Sequence, residues 1–235
     1  MKYATSSTLV IVLVVLGVTS PPRGRAAIVY ANDFEGSIGS EWSQTIADVT
    51  PAGSRRFLGQ FGNDAVTLSL TGLPTHSDLT LEFDLFVIRT WGGNGVEQNS
   101  VGPDVWRLEI IGAQTLLNTT FGHSIFTQAY PGTFPGGSFP SNTGASEVNS
   151  LGFPHPVLGT PNDAVYHLSF TVPHLAPAVT FRFTGIGLEP LNNESWGVDN
   201  VRVSTVPEPS SAALLVSGIA FCIRRRSLRT NERNG

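Results

Sequence analysis

The chain has 235 residues and a formal net charge of −4, but its charges are sorted by position. The only lysine is Lys2, and five of the thirteen arginines lie between residues 224 and 233. Between Ile28 and Val206 there are six arginines and sixteen Asp or Glu, so this central body has a formal charge of −10. An acidic body without lysine argues against nucleic-acid binding, because neutralising phosphates requires a basic face.

Cysteine use narrows the classes of protein further. The single cysteine, Cys222, lies in a C-terminal apolar run, so the body contains none. Disulfide scaffolds, cysteine-ligated zinc and cysteine nucleophiles are therefore excluded from the body. A body of roughly 175 residues is long enough to be held together by its hydrophobic core instead.

The N-terminus has the pattern of a secretory signal peptide. Lys2 precedes the apolar run Leu9–Val18, which is too short to span a bilayer comfortably, and Pro21 and Pro22 then interrupt any helix. We predict a signal peptide over residues 1–27 with cleavage near Ala27, because the residues that follow alternate like a first strand. The alternative is an uncleaved membrane anchor.

The body, residues 28–205, is predicted to be all-β. Apolar residues alternate with polar ones over several segments, as expected for strands with one buried face. Glycine and proline separate these segments, and sustained helical periodicity occurs only in the two terminal apolar runs. We therefore predict a β-sandwich, in the form of a jelly roll. The clearest alternating segments are Val66–Leu70, Leu79–Val87, Tyr166–Val172 and Val179–Phe183.

One stretch of the body breaks the alternating pattern. Residues 122–164 contain six prolines and seven glycines, and a structureless connector of this length is uncommon in a compact domain. One interpretation is a surface excursion packed by its own aromatic side chains. The other is the rim of a binding site.

The C-terminus combines three features in a fixed order. Pro207, Glu208 and Pro209 form an extended Pro-Glu-Pro triplet, because proline disfavours both helix and sheet. An apolar run from Ala212 to Ile223 follows, which predicts a single short hydrophobic helix that enters the membrane. The arginines Arg224, Arg225 and Arg226 come next, and positive charge stays on the cytoplasmic side. The run is shorter than the roughly 20 residues of a permanent anchor, which favours a transient signal.

Residues 206–229 closely resemble the PEP-CTERM sorting signal of Gram-negative bacteria and planctomycetes. The resemblance implies export, cutting at the triplet by an exosortase, which is a membrane cysteine protease, and delivery to an exopolysaccharide-associated cell surface or matrix. The nine residues after the arginine cluster depart from the usual pattern. The alternative is an ordinary tail anchor with incidental prolines.

The two ends of the body resemble carbohydrate-binding jelly-roll modules of the galactose-binding-like and concanavalin-like type. The resemblance rests on the segment ANDFEG (residues 31–36), the nearby Trp42 and the segment SWGVDNVRVS (residues 195–204). It implies that the first and last strands lie side by side. It also implies a structural calcium held by Glu35 and Asp199, with Asp33 or Asn200 as helpers, since calcium takes about six to eight oxygen ligands. The alternative is that Asp199 caps a turn and Glu35 is solvated.

A sugar-binding position is predicted at Trp91, because sugars stack on exposed aromatic faces beside hydrogen-bonding groups. Trp91 lies in the glycine-rich segment RTWGGNG, and Asn94 supplies an amide there. The alternative is that Trp91 simply packs in the core, as expected for Trp106 and Trp196.

The sequence contains little that predicts catalysis. Glu82 and Asp84 share one face of a strand, as a glycoside hydrolase pair would, but Ile88 stands where some concanavalin-like glucanases carry a further glutamate. The five histidines show no metal-ligand spacing, and we expect surface or loop roles for them.

These observations lead to one expectation and two alternatives. We expect a non-enzymatic, exported surface or matrix protein that contacts a glycan or matrix polymer. The alternatives are an exported glycan-acting enzyme on a concanavalin-like fold and a purely structural envelope protein.

Overall fold

A computed structural model describes residues 26–96 and 102–207 of the chain. The predicted signal peptide, apart from Ala26 and Ala27, lies outside these residues, and so does the sorting segment from Glu208 onward, including its predicted helix. Within the described ranges every regular element is a strand, and no helix is long and apolar enough to cross a membrane. The all-β prediction for the body is confirmed.

The described residues form eleven strands. They are β1 Ala27–Asn32, β2 Ala47–Val49, β3 Arg56–Phe61, β4 Ala65–Thr71, β5 Asp78–Arg89, β6 Val105–Ile110, β7 Gln114–Thr120, β8 Glu147–Val148, β9 Asp163–Pro173, β10 Ala178–Ile186 and β11 Glu194–Val206. The strands extend from Ala27 to Val206, one residue further at each end than the body that we predicted from the sequence, residues 28–205.

The strands form two antiparallel sheets. The large sheet has the order β2-β3-β11-β5-β9-β8, with β1 also paired to β11, and the small sheet has the order β4-β10-β6-β7. The chain alternates between the sheets so that β3-β11-β5-β9 faces β4-β10-β6-β7, which is the strand order of a jelly roll. The first and last strands are paired, with Ala27 opposite Thr205.

The main core lies between the two sheets. Phe83, Leu85 and Val87 alternate along β5 and are fully buried against the small sheet. Aromatic rings join the two layers: Phe83 on β5 meets Phe183 on β10 edge to face at 5.4 Å, and Trp106 on β6 meets Trp196 on β11 at 6.0 Å. Such pairs stabilise a core beyond the area that they bury.

A second, smaller core lies on the outer face of the large sheet. It consists of outward-facing residues of β3, β5 and β9 together with two residues from the long excursion after β7. The carboxylate of Asp163 holds the excursion in place by accepting hydrogen bonds from the backbone N–H groups of Leu151 and Phe153, at 2.9 and 3.0 Å. The members of this outer core are Phe57, Phe86, Ile88, Leu151, Phe153 and Val165.

The last strand changes its partner halfway along. β11 pairs with β3 over Trp196–Val198 and with β1 from Val201 onward, and a bulge separates the two halves. Asn200 in the bulge has a positive φ of 51°, which asparagine tolerates better than most residues. The bulge places Asp199 and Asn200 at the junction of three strands.

Candidate functional site

A row of polar side chains crosses the outer face of the large sheet beside the outer core. Asp84 on β5 lies opposite His167 on β9 and Asp199 on β11. The His167 Nδ1 atom lies 2.8 Å from Asp84 Oδ1, and the Asn200 amide donates to Asp84 Oδ2 at 2.8 Å. His167 remains largely exposed. We call Asp84, His167, Asp199 and Asn200 the outer-face row.

Asp199 is the buried member of the outer-face row. Burial raises the pKa of its carboxyl to about 6, and the nearby carboxylates of Asp84 and Glu35 raise it further. The backbone N–H of Asn200, at 2.7 Å, and the guanidinium of Arg55 act in the opposite direction. Burial therefore outweighs the nearby positive charge of Arg55 in setting this pKa.

Arg55 borders the row with donors that the protein leaves unused. Its Nη1 atom donates to Glu147 Oε1 at 3.0 Å, and the guanidinium carbon lies 4.8 Å from the centre of the Phe86 ring. Its Nε and Nη2 atoms are buried and have no hydrogen-bond partner among the described residues. Buried polar groups are normally satisfied, so these two unpaired donors are an exception, but they have almost no exposed surface through which a ligand could reach them.

The predicted calcium residues lie at the junction of β1, β3 and β11. Glu35 accepts a hydrogen bond from the backbone N–H of Arg56 at 2.9 Å, and the Arg56 Nη1 atom donates to the carbonyls of Phe34 and Gly36. Positive charge at the junction therefore comes from an arginine. In residues 26–96 and 102–207 no group of three or more His, Cys, Asp or Glu side chains converges as metal ligands do.

Calcium would have to share this junction with Arg56. Glu35 and Asp199 do lie near enough to affect each other electrostatically, and the carbonyls of Phe34 and Gly36 are oxygens of the kind that calcium prefers. The residues therefore fit calcium only if the Arg56 side chain moves away. Calcium at Glu35 and Asp199 stays a prediction.

The structure corrects the prediction of a sugar platform at Trp91. Trp91 is fully buried, its indole N–H donates to the backbone carbonyl of Ser195 at 2.9 Å, and its ring packs on Phe121. Gly93 lets a neighbouring turn pack closely on this segment, because a Cβ there would clash with the carbonyl of Thr127. Asn94 is likewise occupied, because its amide donates to Gly137 O at 2.9 Å and its oxygen accepts from the Thr120 hydroxyl.

All four tryptophans are core residues. Trp42, Trp106 and Trp196 are buried with Trp91, and none of the strongly exposed large apolar side chains in the described ranges is aromatic. A sugar bound to the described surface of the body would therefore be held by hydrogen bonds more than by stacking on an exposed aromatic ring.

A buried acid pair was not recognised from the sequence. Glu194, at the start of β11, and Asp104, before β6, are both buried, and their carboxyls are close enough to hydrogen-bond. Glu194 Oε2 accepts from the backbone N–H of Glu189 at 2.7 Å, and Asp104 accepts from the N–H of Gly92. Burial raises the pKa of Glu194 to about 9, and the negative charge of Asp104 adds to this effect. The pair therefore holds a proton at neutral pH and is sealed from any substrate.

Two histidines that lie 98 residues apart meet in the fold. His76 Nε2 lies 2.8 Å from His174 Nδ1, and the rings stack with centroids 5.1 Å apart. Their strands explain the meeting, because His76 precedes β5, His174 follows β9, and Asp78 on β5 pairs with Pro173 on β9. Pairing these two strands from their alternation would have predicted it.

The fold and the outer-face row together define the class: a two-sheet jelly-roll β-sandwich with a polar face on its larger sheet. No protein-family model and no curated protein matches the sequence. Among solved structures, a carbohydrate-binding module of family 28 specific for non-crystalline cellulose is 14% identical, with a TM-score of 0.39, over 82% of this chain and 100% of that one.

Two larger proteins also contain similar segments. Dimeric latent PorU from Porphyromonas gingivalis is 11% identical with a TM-score of 0.40, over 79% of this chain. A family 115 4-O-methyl-α-glucuronidase with specificity for decorated arabinogalactans is 12% identical with a TM-score of 0.39, over 75% of this chain. This chain spans only 14% and 17% of their lengths. No ligand or activity follows from likenesses at this level.

The buried acid pair makes stability depend on pH. Because the folded-state pKa of Glu194 is about 9 against an ordinary 4.5, the folded protein keeps a proton that the unfolded chain releases between these values. The stabilising effect of this bound proton is complete below the ordinary pKa of 4.5. It is lost as the pH rises through the folded-state pKa of about 9. We expect the free energy of unfolding to fall by about 1.4 kcal/mol per pH unit in between.

Glu194→Gln should remove that pH dependence, since a neutral amide can donate to Asp104 at every pH. Urea unfolding at about pH 6 and about pH 8 measures the slope. Glu82→Gln, on the outer face of β5, is the control and should keep the wild-type slope. An unchanged slope in Glu194→Gln would contradict the shared proton.

Proposed function

We propose that this protein is a non-enzymatic, exported β-sandwich that binds a glycan or another hydroxyl-rich matrix polymer through the outer face of its large sheet. One observation carries the proposal. The outer-face row places carboxylates and an amide on the open part of the sheet, beside the partly exposed side chain of Arg55. Sugar hydroxyls both donate and accept hydrogen bonds, so they match such a mixed surface.

The surface suits binding better than catalysis. Asp84 already accepts hydrogen bonds within the row, and Asp199 is buried. The one tightly coupled carboxyl pair described, Asp104 with Glu194, lies where no substrate reaches it. An exported glycan-acting enzyme and a purely structural envelope protein are the alternatives that the binding experiment addresses.

Substitutions in the outer-face row should weaken glycan binding. The body is screened on a glycan array, and the affinity for the glycan that binds most strongly is then measured by calorimetry. Asp84→Ala should lower this affinity by about tenfold or more, because a hydrogen bond to a charged group contributes about 1.5–3 kcal/mol.

Glu109→Gln is the matched control, because Glu109 lies on the outer face of the small sheet, where it pairs with Arg182. Its affinity should equal that of the wild type. Equal losses in both variants would remove the outer-face row from the proposal. The absence of any bound glycan at high protein density would favour the structural envelope alternative, and release of shorter glycans would favour the enzyme.

The second part of the proposal concerns delivery. We propose that residues 206–229 act as a PEP-CTERM-type signal, cut at Pro207, Glu208 and Pro209 by an exosortase-type protease after the apolar run has entered the membrane. The last strand stays bound to the body up to Val206, whose carbonyl accepts a hydrogen bond from the Ser77 N–H at 2.9 Å. This supports a cut at the triplet, because the triplet lies just beyond the last residue that the sheet needs. The proposed cut would thus release the complete sandwich to the cell surface or matrix.

Processing can be read from the mass of the native protein. The mature chain should lack Arg224, Arg225 and Arg226 and should end within residues 207–209. Glu208→Ala should leave the tail attached, because it removes the accessible carboxylate of the triplet, whereas Glu232→Ala, beyond the arginine cluster, should be processed normally. A native chain that keeps its arginine cluster would overturn this part.

Calcium at Glu35 and Asp199, helped by Asp33 or Asn200, is the third part. The support is the set of oxygens at the junction, where the Glu35 and Asp199 carboxylates lie near the carbonyls of Phe34 and Gly36. A bound ion would stabilise the junction of β1, β3 and β11 through carboxylate and carbonyl oxygens.

Calcium at about one hundred times its Kd should raise the thermal midpoint by about 5–10 °C relative to chelator-treated protein. Asp199→Asn should abolish the shift, whereas Asp64→Asn, in the turn between β3 and β4, should keep it. A midpoint that does not respond to calcium or chelator would exclude the ion.

A further inference from the structure

One end of the sandwich combines both termini of the body with three turns. The carbonyl of Val206 accepts from Ser77 N–H at 2.9 Å, and the Ser77 carbonyl accepts from His174 N–H at 3.0 Å. In the small sheet, Ile111 N–H donates to Thr180 O at 3.0 Å, which brings the β6–β7 turn alongside. We call this the terminal end; it comprises residues 26–28, 71–78, 110–114, 173–178 and 205–207.

The terminal end exposes large apolar side chains. Leu175 in the β9–β10 turn is 71% exposed, Ile28 is 56% exposed, and Ile111 in the β6–β7 turn is 47% exposed. An open groove of about 610 Å³ lies between the two turns and is lined mainly by apolar residues. Among those residues are Ile110, Ala113, Pro173, Ala176 and Val179.

The terminal end is also nearly free of charge. Of its described residues only Asp78 is a carboxylate, its Oδ2 accepts the Ser77 hydroxyl at 2.7 Å, and there is no arginine or lysine. The body as a whole has a formal charge of −10. Anionic lipid headgroups therefore repel the body as a whole, but this end contributes little to the repulsion.

The chain leaves the sandwich at this same end. Pro207 is followed by only four residues before the apolar run begins at Ala212. Five extended residues span at most about 18 Å. Once the apolar run is inserted in a membrane, Leu175 and Ile111 are therefore held close to the lipid surface.

We propose that the terminal end is a lipid-facing surface, with Leu175 and Ile111 entering the headgroup region of the bilayer while the tail is still attached. The proposal rests on the membrane insertion of the tail that the proposed function includes. It holds the Pro-Glu-Pro triplet at the membrane surface, where a membrane protease can reach it, and it sets the long axis of the strands upright on the bilayer.

Depth-dependent fluorescence quenching on residues 28–235, which lack the predicted signal peptide and keep the tail, tests the orientation. Cys222→Ser removes the only native thiol, and Leu175→Cys or Ile111→Cys then accepts a polarity-sensitive dye. Leu158→Cys is the matched control, because Leu158 is 70% exposed in the long excursion, away from the terminal end. The chains are reconstituted in vesicles of equal parts phosphatidylethanolamine and phosphatidylglycerol with added brominated phosphatidylcholine.

The dye at position 175 should be quenched roughly twofold or more above the dye at 158, because apolar side chains at an interface lie about 5–10 Å deep in the headgroup and acyl boundary. Position 111 should follow position 175. If the protein floats with the vesicles but the dyes at positions 158 and 175 are quenched equally, this proposal is overturned, whereas the proposed membrane insertion of the tail still stands. Protein that does not float with the vesicles at all would overturn the membrane tail, and with it this surface.

Discussion

Burial of the large sheet on both of its faces is the constraint on which the rest of this structure depends. The inner face packs on the small sheet, and the middle of the outer face is covered by Leu151 and Phe153 from the long excursion. Only the rows beyond Phe86 stay open to solvent, so the polar side chains that a ligand could meet are confined to the outer-face row and its borders. Two arginines frame the covered part, with Arg55 over Phe86 and Arg89 over Phe153.

Buried polar side chains hold the excursion in this position. Gln128 accepts hydrogen bonds from the Tyr166 hydroxyl at 3.1 Å and from the backbone of Asn142 at 3.0 Å, and it donates to Tyr130 O and Thr143 O. Asp163 does the same for the second half of the excursion. A segment rich in proline and glycine has little regular hydrogen bonding of its own, so such satisfied side chains replace it. Of the two interpretations of this segment, the structure favours packing over an open rim.

Charge is distributed over the body in a way that matches its different surfaces. Carboxyls lie close together in the outer-face row and in the sealed pair of Asp104 and Glu194, whereas the terminal end has one carboxylate. Where carboxyls are buried close together, their negative charge is neutralised by a bound proton or balanced by a neighbouring arginine. The open outer face and the apolar end thus suit different partners, one rich in hydroxyl groups and the other lipid.

The sequence by itself determined the all-β class and the long strands such as β5 and β9, whereas the pairing of the first and last strands was implied by a resemblance to jelly-roll modules. Period-two alternation reports which face of a strand is buried, and that information is local. Tertiary structure alone decided the roles of Trp91, Glu194 and the pair His76–His174, since these depend on residues up to about a hundred positions away. An aromatic residue among glycines has the same local pattern whether its ring is exposed or covered. Only the packing of β11 and of Phe121, just after β7, against Trp91 settled that it is covered.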